Sequence, residues 1–201
     1  ILKDGKKAIQ INKIKIKKIG ELFGNFNVVM FSPEDLKIIK DSPGVRRKFI
    51  DMELCQLNPK YYYNLVQYNK VLNERNSILR NRNINKDILE VYDMQLVEFG
   101  YNIVMERLEY IKKLNKYSEK IHSDITSGKE KIEFRYTSTI KDLENIKDNF
   151  YALLEKNRVR DSERGITSVG PHRDDFIVLI NDIDTKSYGS QGQQRTAVLT
   201  I

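Results

Sequence analysis

A long run of regularly spaced apolar residues constrains the fold of this chain more than any other feature. Within residues 85–126, apolar side chains recur at steps of three and four: Leu89, Tyr92, Leu96, Phe99, Ile103, Leu108, Ile111, Leu114, Ile121 and Ile125. This spacing predicts one long amphipathic helix, or two nearly collinear helices, whose apolar stripe packs in a core. Gly100 is a predicted weak point, because glycine costs about 1 kcal/mol relative to alanine inside a helix.

Capping motifs predict further helices on both sides of this run. The stretch Ser32-Pro33-Glu34-Asp35 offers a capping hydroxyl, a proline and an acid three residues after the cap, all of which suit a first helical turn. Ser42-Pro43 and Asn58-Pro59 each place a capping side chain before a proline, as a helix start requires. We expect Thr139 to cap a later helix that ends near Gly165.

Strand patterns lie at the start of the chain. Residues 6–19 alternate apolar and polar on either side of Asn12-Lys13, which predicts a β-hairpin with one buried face and lysines on the other. Residues 28–31, VVMF, form a compact apolar run that predicts a buried strand.

A second group of strand patterns follows the long helix. Ile132–Thr137 alternates and predicts a short strand, which we expect to pair within the helical region. Asp175–Ile180 is a strongly apolar strand, Asn181-Asp182 is a turn, and residues 183–188 are the expected second arm of a hairpin. The predicted order is therefore sheet, long helical insertion, sheet, polar loop and helix, which is an α+β fold.

Charge and cysteine content narrow the class of partner. The chain carries 35 Lys and Arg against 28 Asp and Glu, a net charge of +7 that favours a polyanionic partner, nucleic acid before membrane. Cys55 is the single cysteine, so a disulfide framework and a cysteine metal site are excluded, and we expect a reducing cytoplasm. No apolar run approaches the roughly 18 residues of a membrane span. The sequence starts without methionine and stops within a helical pattern, so we expect an internal fragment of a longer protein.

A small polar loop opens the last helical segment, residues 187–201 (SYGSQGQQRTAVLTI). Glycines let a backbone approach an anion closely, and the free N–H groups and dipole of a helix start favour negative charge there. Side-chain donors are added by Ser190, Gln191, Gln193, Gln194 and Arg195, around Gly192. The loop is interpreted either as a phosphate-binding site or as an ordinary serine-capped helix start.

The stretch GITSVGPHRDDF, residues 165–176, admits two interpretations. His172, Asp174 and Asp175 could form a metal or general-base site. Adjacent aspartates on an extended backbone point in opposite directions, however, which favours a turn whose Asp and Arg side chains bind backbone groups.

Two clusters of arginines are candidate phosphate contacts. Arg46, Arg47 and Lys48 lie in the first turns of a helix, where the dipole disfavours cations, so they face either an anion or an acidic neighbour such as Asp51. The second cluster combines arginines with nearby tyrosines and is either a surface that stacks on nucleic acid or simple helix packing; its members are Arg75, Arg80, Arg82, Tyr61, Tyr62, Tyr63 and Tyr68.

Four stretches together resemble a known family: FSPEDLKIIKDSPGVRRKFID (31–51), YNKVLNERNSIL (68–79), RGITSVGPHRDDF (164–176) and YGSQGQQRT (188–196). In order and spacing they are similar to the RecF family of bacterial recombination mediators, which are SMC-like ABC-type ATPases. The resemblance covers essentially the whole chain. It implies part of an ATPase head, residues 1–44 and 165–201, that encloses a helical lid domain, residues 45–164.

The resemblance also implies a site and a set of partners. Ser190, Gly192 and Gln193 would contact the γ-phosphate of ATP bound to the opposite subunit of a homodimer, with Gln191, Gln194 and Arg195 in support. Independently of the resemblance, the basic residues that are possible DNA or phosphate contacts are Arg46, Arg47, Lys48, Arg75, Arg80, Arg82 and Arg173. The implied partners are ATP with Mg²⁺, single-stranded or gapped DNA, and RecR, with RecO and RecA in the same pathway.

Two motifs of the family lie outside this sequence: the phosphate-binding Walker A loop, GxxxxGK[ST], and the acidic pair of Walker B. We therefore expect no ATP hydrolysis by the segment alone and no resident metal. Two other classes of function remain open at this stage. One is a nucleotide-independent helical interaction module built on the long helix, and the other is a metal-dependent hydrolase built on His172, Asp174 and Asp175.

Overall fold

The computed structural model describes residues 2–3, 6–7, 9–17, 19–23, 28, 32–81 and 86–201. Its strands are β1 (Leu2–Lys3), β2 (Lys6–Lys7), β3 (Gln10–Ile11), β4 (Ile14–Lys15), β5 (Ile132–Thr137), β6 (Asp175–Ile180) and β7 (Ile183–Asp184). Its α-helices are α1 (Lys37–Lys40), α2 (Pro43–Leu57), α3 (Pro59–Leu79), α4 (Lys86–Thr126), α5 (Ile146–Lys156), α6 (Arg158–Arg164), α7 (Thr185–Tyr188) and α8 (Gln191–Thr200), and 3-10 turns span Ile19–Leu22 and Pro33–Leu36.

The predicted N-terminal hairpin turns where the sequence indicates. β3 and β4 pair antiparallel around Asn12 and Lys13, whose φ angles of 51° and 68° are those of a tight hairpin turn. The prediction that one face of this hairpin is buried is wrong for its described part, since Ile14 is 73% exposed. β1 and β2 form a separate antiparallel pair. The strand predicted at residues 28–31 lies outside the described residues, apart from the exposed Val28.

Two of the three caps predicted before α4 are confirmed, and the cap expected from Ser42 is wrong, because its side chain makes no capping hydrogen bond. Ser32 forms a reciprocal capping box with Asp35 at the 3-10 turn that leads into α1. Asn58 accepts the backbone N–H of Lys60 at 2.9 Å and so caps α3, while Pro43 opens α2 without a side-chain cap. These short connections place α2 and α3 beside α4.

The long amphipathic pattern forms a single helix, α4, of 41 residues. Gly100 is not its weak point, because a Cβ built there would lie 2.6 Å from the Phe150 ring and 3.2 Å from Tyr68. The missing side chain is what allows α5 to pack closely on α4, so packing offsets the intrinsic helix cost.

The predicted strands β5 and β6 are confirmed, but the expected pairing of β5 within the helical region is wrong. The two strands pair antiparallel along their whole length, from Ile132 opposite Ile180 to Thr137 opposite Asp175. The register sets Phe134 opposite Val178, so apolar side chains of both strands share one buried face. Residues on both sides of the intervening helices therefore build one sheet.

Two other boundaries differ from expectation. Thr139 does not cap a helix, since α5 begins at Ile146 and the backbone N–H of Thr139 donates to Asp174 at 2.8 Å. The predicted helix end is confirmed at Gly165, which takes the left-handed φ of 63° that suits glycine. Beyond the Asn181-Asp182 turn, only β7 continues the sheet before the chain coils into α7.

One buried core joins α2, α3, α4 and α5 to the β5–β6 sheet and to α8. Within the described residues, no helix combines the length and hydrophobicity that crossing a bilayer requires. The fold is α+β and rich in helix, as the sequence predicts.

Candidate functional site

The polar loop ahead of α8 is both a helix cap and an open anion-sized corner. The Ser190 hydroxyl accepts the backbone N–H of Gln193 at 3.2 Å, and the Gln193 carboxamide oxygen accepts the N–H of Ser190 at 2.9 Å. Ser190 and Gly192 are exposed, and a Cβ on Gly192 would meet nothing nearer than the Ser190 oxygen at 3.7 Å. The helix start therefore leaves room for a tetrahedral anion beside free N–H groups.

Two residues of the loop give it a fixed shape. A Cβ on Gly189 would lie 2.6 Å from the carbonyl oxygen of Thr185, so the loop can turn this tightly only with glycine at that position. Gln194 is buried, and its amide donates at 3.2 Å to the carbonyl oxygens of Thr185 and Gly189. Gln194 thus supports the loop from below, while Gln191 and Arg195 are exposed at its surface.

A polar chain that sequence reasoning missed connects this loop to the end of α4. The Gln193 amide donates to Glu130 Oε1 at 3.0 Å, and the other Glu130 oxygen lies 3.4 Å from Nε2 of the fully buried His122. The second ring nitrogen of His122 is 3.0 Å from the Thr200 hydroxyl in the last turn of α8. Since Glu130 is 63 positions from Gln193 and lies in the connection between α4 and β5, local sequence patterns carry no signal for the contact.

The three basic residues at the start of α2 lie in different environments. Arg46 is buried and forms a two-bond ion pair with Asp175 at 2.7 and 2.8 Å, so it faces an acidic neighbour rather than an external anion. Arg47 is half-buried and donates to the carbonyl oxygen of Asp174 at 2.8 Å. Lys48 is exposed.

The alternative partner predicted for Arg47, Asp51, is engaged elsewhere. Asp51 accepts Nη2 of Arg107 at 2.8 Å and the hydroxyl of Tyr61. Arg107 also donates to the carbonyl oxygen of Pro171 at 2.7 Å. Burial strongly raises the pKa of the Tyr61 hydroxyl, so this phenol stays protonated and donates its hydrogen bond.

Arg75, a candidate phosphate contact, is instead the centre of a buried ion network. Its side chain is 0% exposed and reaches Asp93 at 2.6 Å, Asp161 at 3.1 Å and the Thr167 hydroxyl at 2.9 Å. Arg158 closes the network on the second oxygen of Asp93 at 3.0 Å. In this fold Arg75 ties three helices to the loop after α6 and cannot reach a phosphate in solution.

The tyrosines of α3 are mainly packing residues. Tyr61 and Tyr68 are buried, which agrees with the helix-packing interpretation, while Tyr63 is exposed. Arg80 is exposed and donates to the carbonyl oxygen of Gly165 at 3.2 Å. Arg82 lies outside the described residues.

Asp174 is a structural carboxylate. Four donors satisfy it: the hydroxyls of Tyr136 at 2.7 Å and Ser138 at 3.0 Å, and the hydroxyl and backbone N–H of Thr139 at 3.0 and 2.8 Å. A carboxylate with this many donors is fixed in orientation and has no free lone pair aimed at a metal.

His172 is likewise bonded within the fold. Its Nε2–H donates to the carbonyl oxygen of Thr167 at 3.0 Å, so Nδ1 accepts the Tyr68 hydroxyl at 2.7 Å. Burial lowers the pKa of His172 to about 4 and keeps the ring neutral. Among the described residues, no three His, Cys, Asp or Glu side chains group as metal ligands. The geometry therefore favours the turn interpretation of residues 165–176 over the metal-dependent hydrolase.

The chain is similar over its whole length to curated proteins called DNA replication and repair protein RecF. It is 68% identical over 201 residues to that of Clostridium perfringens (strain SM101 / Type A) and 72% identical over 205 aligned residues to that of Clostridium botulinum (strain Alaska E43 / Type E3). In both comparisons all of the chain is covered, and it spans 56% of the relative's length. No family model matches the chain.

Two solved structures have the same fold. They are described as the recombination mediator protein RecF-ATPrS and the recombination mediator protein RecF-ATP, both in the RecFOR pathway. Each is 38% identical, with TM-scores of 0.89 and 0.90, and each match covers 98% of this chain and 55% and 54% of the other.

A small sheet packed with a long helical lobe and the capped helix α8 forms an α+β fold that matches part of an ABC-type ATPase. The similarity in both sequence and fold identifies the chain more narrowly than this class of ATPase. It matches a segment of RecF over its whole length and spans about half the length of these relatives.

Proposed function

We propose that this chain is a segment of an ATP-dependent, DNA-binding recombination mediator of the RecF type. The observation that carries the proposal is the open helix start at Ser190, where an exposed hydroxyl and the free N–H of Gly192 suit a phosphate. A RecF structure described with ATP has the same fold and supports a nucleotide as the source of that phosphate.

In the intact protein the loop would act across a homodimer. Bound ATP with Mg²⁺ would supply the γ-phosphate that draws two heads together. Ser190 and Gly192 would donate to that phosphate from the opposite subunit, with Gln191 and Arg195 at the rim and Gln194 beneath. Gln193 is occupied by Ser190 and Glu130, so its main contribution is to hold the cap. Since the loop is supplied in trans, ATP would stabilise the dimer by mass action.

The same proposal includes DNA as a partner, supported by the net charge of +7. Arg47, Lys48, Arg80 and Arg173 are half-buried or exposed and remain candidate contacts, with Arg82 outside the described residues. The buried, paired Arg46 and Arg75 are no longer candidates.

The pathway role follows from the family. The intact protein would bind single-stranded or gapped DNA in the cytoplasm, work with RecR and RecO, and help load RecA at single-strand gaps in repair, replication restart and the SOS response. A weak DNA-dependent ATPase activity would belong to the intact protein and not to this segment. The division into a head (1–44 and 165–201) and a lid (45–164) is part of the same proposal.

Replacing Ser190 by Arg in the full-length protein tests the phosphate role. The bulky cation fills the open corner, so ATP-driven dimerisation, measured by light scattering, should be lost. Ser190→Thr is the matched control, because it keeps the capping hydroxyl. Dimerisation that survives Ser190→Arg would refute the trans contact and favour the nucleotide-independent helical module instead.

A further inference from the structure

A small open cavity of about 140 Å³ lies between α2, α3, α4 and the loop before β6. Its polar lining includes the side chains of Arg47, Asp51, Asn69, Arg107 and His172. Tyr68 and Pro171 form part of its remaining wall. The volume suits one tetrahedral oxyanion and is far below that of a drug-sized ligand.

The carboxylates around this cavity are already engaged. Asp51 lines the cavity but is paired with Arg107. The carboxylate of Asp174 accepts four hydrogen bonds from residues 136–139, and that of Asp175 is paired with Arg46. None of the three is bonded to the side chain of Arg47 within the described structure.

Two guanidinium groups are thus left without a hydrogen-bonded carboxylate among the described residues. Arg47 donates only to the carbonyl oxygen of Asp174, and Arg173 only to that of Thr167, at 3.1 and 3.2 Å. Burial, followed by the nearby Arg107, lowers the pKa of Arg47; Arg173 adds to the lowering, and Asp175 and Asp51 oppose it only in part. This repulsion is what a bound anion would relieve.

Two further residues of the lining, Asn69 and His172, add no charge to the site. Asn69 is exposed on α3 and makes no hydrogen bond to any described residue, so its amide is free to donate into the cavity. His172 is fixed as a neutral ring by its bonds to Tyr68 and Thr167 and does not compete for the anion.

We propose that Arg47 and Asn69, which line this cavity, form a subsite for a single phosphate group with the positive charge of Arg173 close to Arg47, separate from the loop at Ser190. The inference deepens the proposed function and rests on it, because the phosphate belongs either to the DNA backbone or to a nucleotide. Arg47 lines the cavity from α2 and Asn69 lines it from α3, and Arg173 adds a second positive charge near Arg47.

The test uses Asn69→Asp in the full-length protein, with Asn73→Asp as the matched control. Both residues are exposed on α3 and both variants lower the net charge by one, but only Asn69 lines the cavity. Fluorescence anisotropy of a labelled gapped duplex measures DNA affinity over a salt series, and ATP-driven dimerisation measures nucleotide affinity. A second pair, Arg47→Gln and Lys48→Gln, repeats the comparison on α2.

A DNA phosphate predicts that Asn69→Asp and Arg47→Gln weaken DNA binding roughly 5- to 10-fold relative to their controls, and that Arg47→Gln reduces the salt slope by about 1. ATP-driven dimerisation would then be unchanged. A nucleotide phosphate predicts the opposite pattern, with a higher ATP requirement and unchanged DNA affinity.

The proposed subsite would be refuted if each variant behaved like its control in both the DNA-binding and the dimerisation assay. That outcome is distinct from failure of the proposed function, which would appear as a flat salt response of the unaltered protein or as dimerisation that survives Ser190→Arg.

Discussion

Replacing Glu130 by Ala should loosen the helix start that carries the Ser190 loop, although Glu130 is far from it in sequence. The substitution removes the acceptor of the Gln193 amide at 3.0 Å, and with it the charged group nearest Nε2 of buried His122. A hydrogen bond to a charged group contributes about 1.5–3 kcal/mol when buried, and the Glu130 side chain is 22% exposed. We therefore expect local stability to fall by about 1 kcal/mol.

Hydrogen exchange of the Gln193 backbone amide is the most direct assay, because this N–H donates to Ser190 in the cap. A loss of about 1 kcal/mol corresponds to roughly fivefold faster exchange if the helix start opens locally. Glu130→Gln keeps an acceptor and should restore most of the protection. Glu133→Ala, in the neighbouring strand, is the control. Unchanged Gln193 exchange in Glu130→Ala would refute the idea that this carboxylate positions the loop.

Three further predictions concern the scaffold. Gly100→Ala should lower the free energy of unfolding by about 1–3 kcal/mol in urea denaturation, because its Cβ would overlap the Phe150 ring; a gain in stability would show that α5 can move away. Asp161→Ala should cost about 3–5 kcal/mol by leaving the buried Arg75 short of a partner, and a cost below 1 kcal/mol would contradict the network. Folding lowers the pKa of His172 from its ordinary 6.5 to about 4. The contribution of His172 to the free energy of unfolding is therefore complete above pH 6.5, and about 3 kcal/mol is lost as the pH falls to 4. His172→Gln should flatten this part of the pH profile of stability.

Local rules in the sequence account for most of the elements and for several of their ends. The caps at Ser32 and Asn58, the turn at Asn12-Lys13 and the glycine stop at Gly165 depend on neighbouring residues, so each could be predicted from a few letters. The cap at Ser190 was also predictable, since the residues that form it are three positions apart.

Partners distant in sequence could not be predicted in this way. Arg46 meets Asp175 across 129 positions, so the nearby Asp51 was the only acid that helical spacing suggested for this cluster. Arg75 looked like a surface cation because nothing local reveals Asp161, 86 positions away. The pairing of β5 failed for the same reason, since a short alternating strand does not specify its partner.

These distant contacts have a consequence for the order of folding during synthesis. Arg46 leaves the ribosome long before Asp175, and Arg107 long before Pro171, whose carbonyl oxygen it needs. A nascent chain ending before residue 171 could form α2, α3 and α4, but these guanidinium groups would have to stay hydrated. The helices could not close into their final core until the loop before β6 had been made. Native structure would therefore be acquired late and as a unit, and the nascent helices would be exposed to aggregation until then.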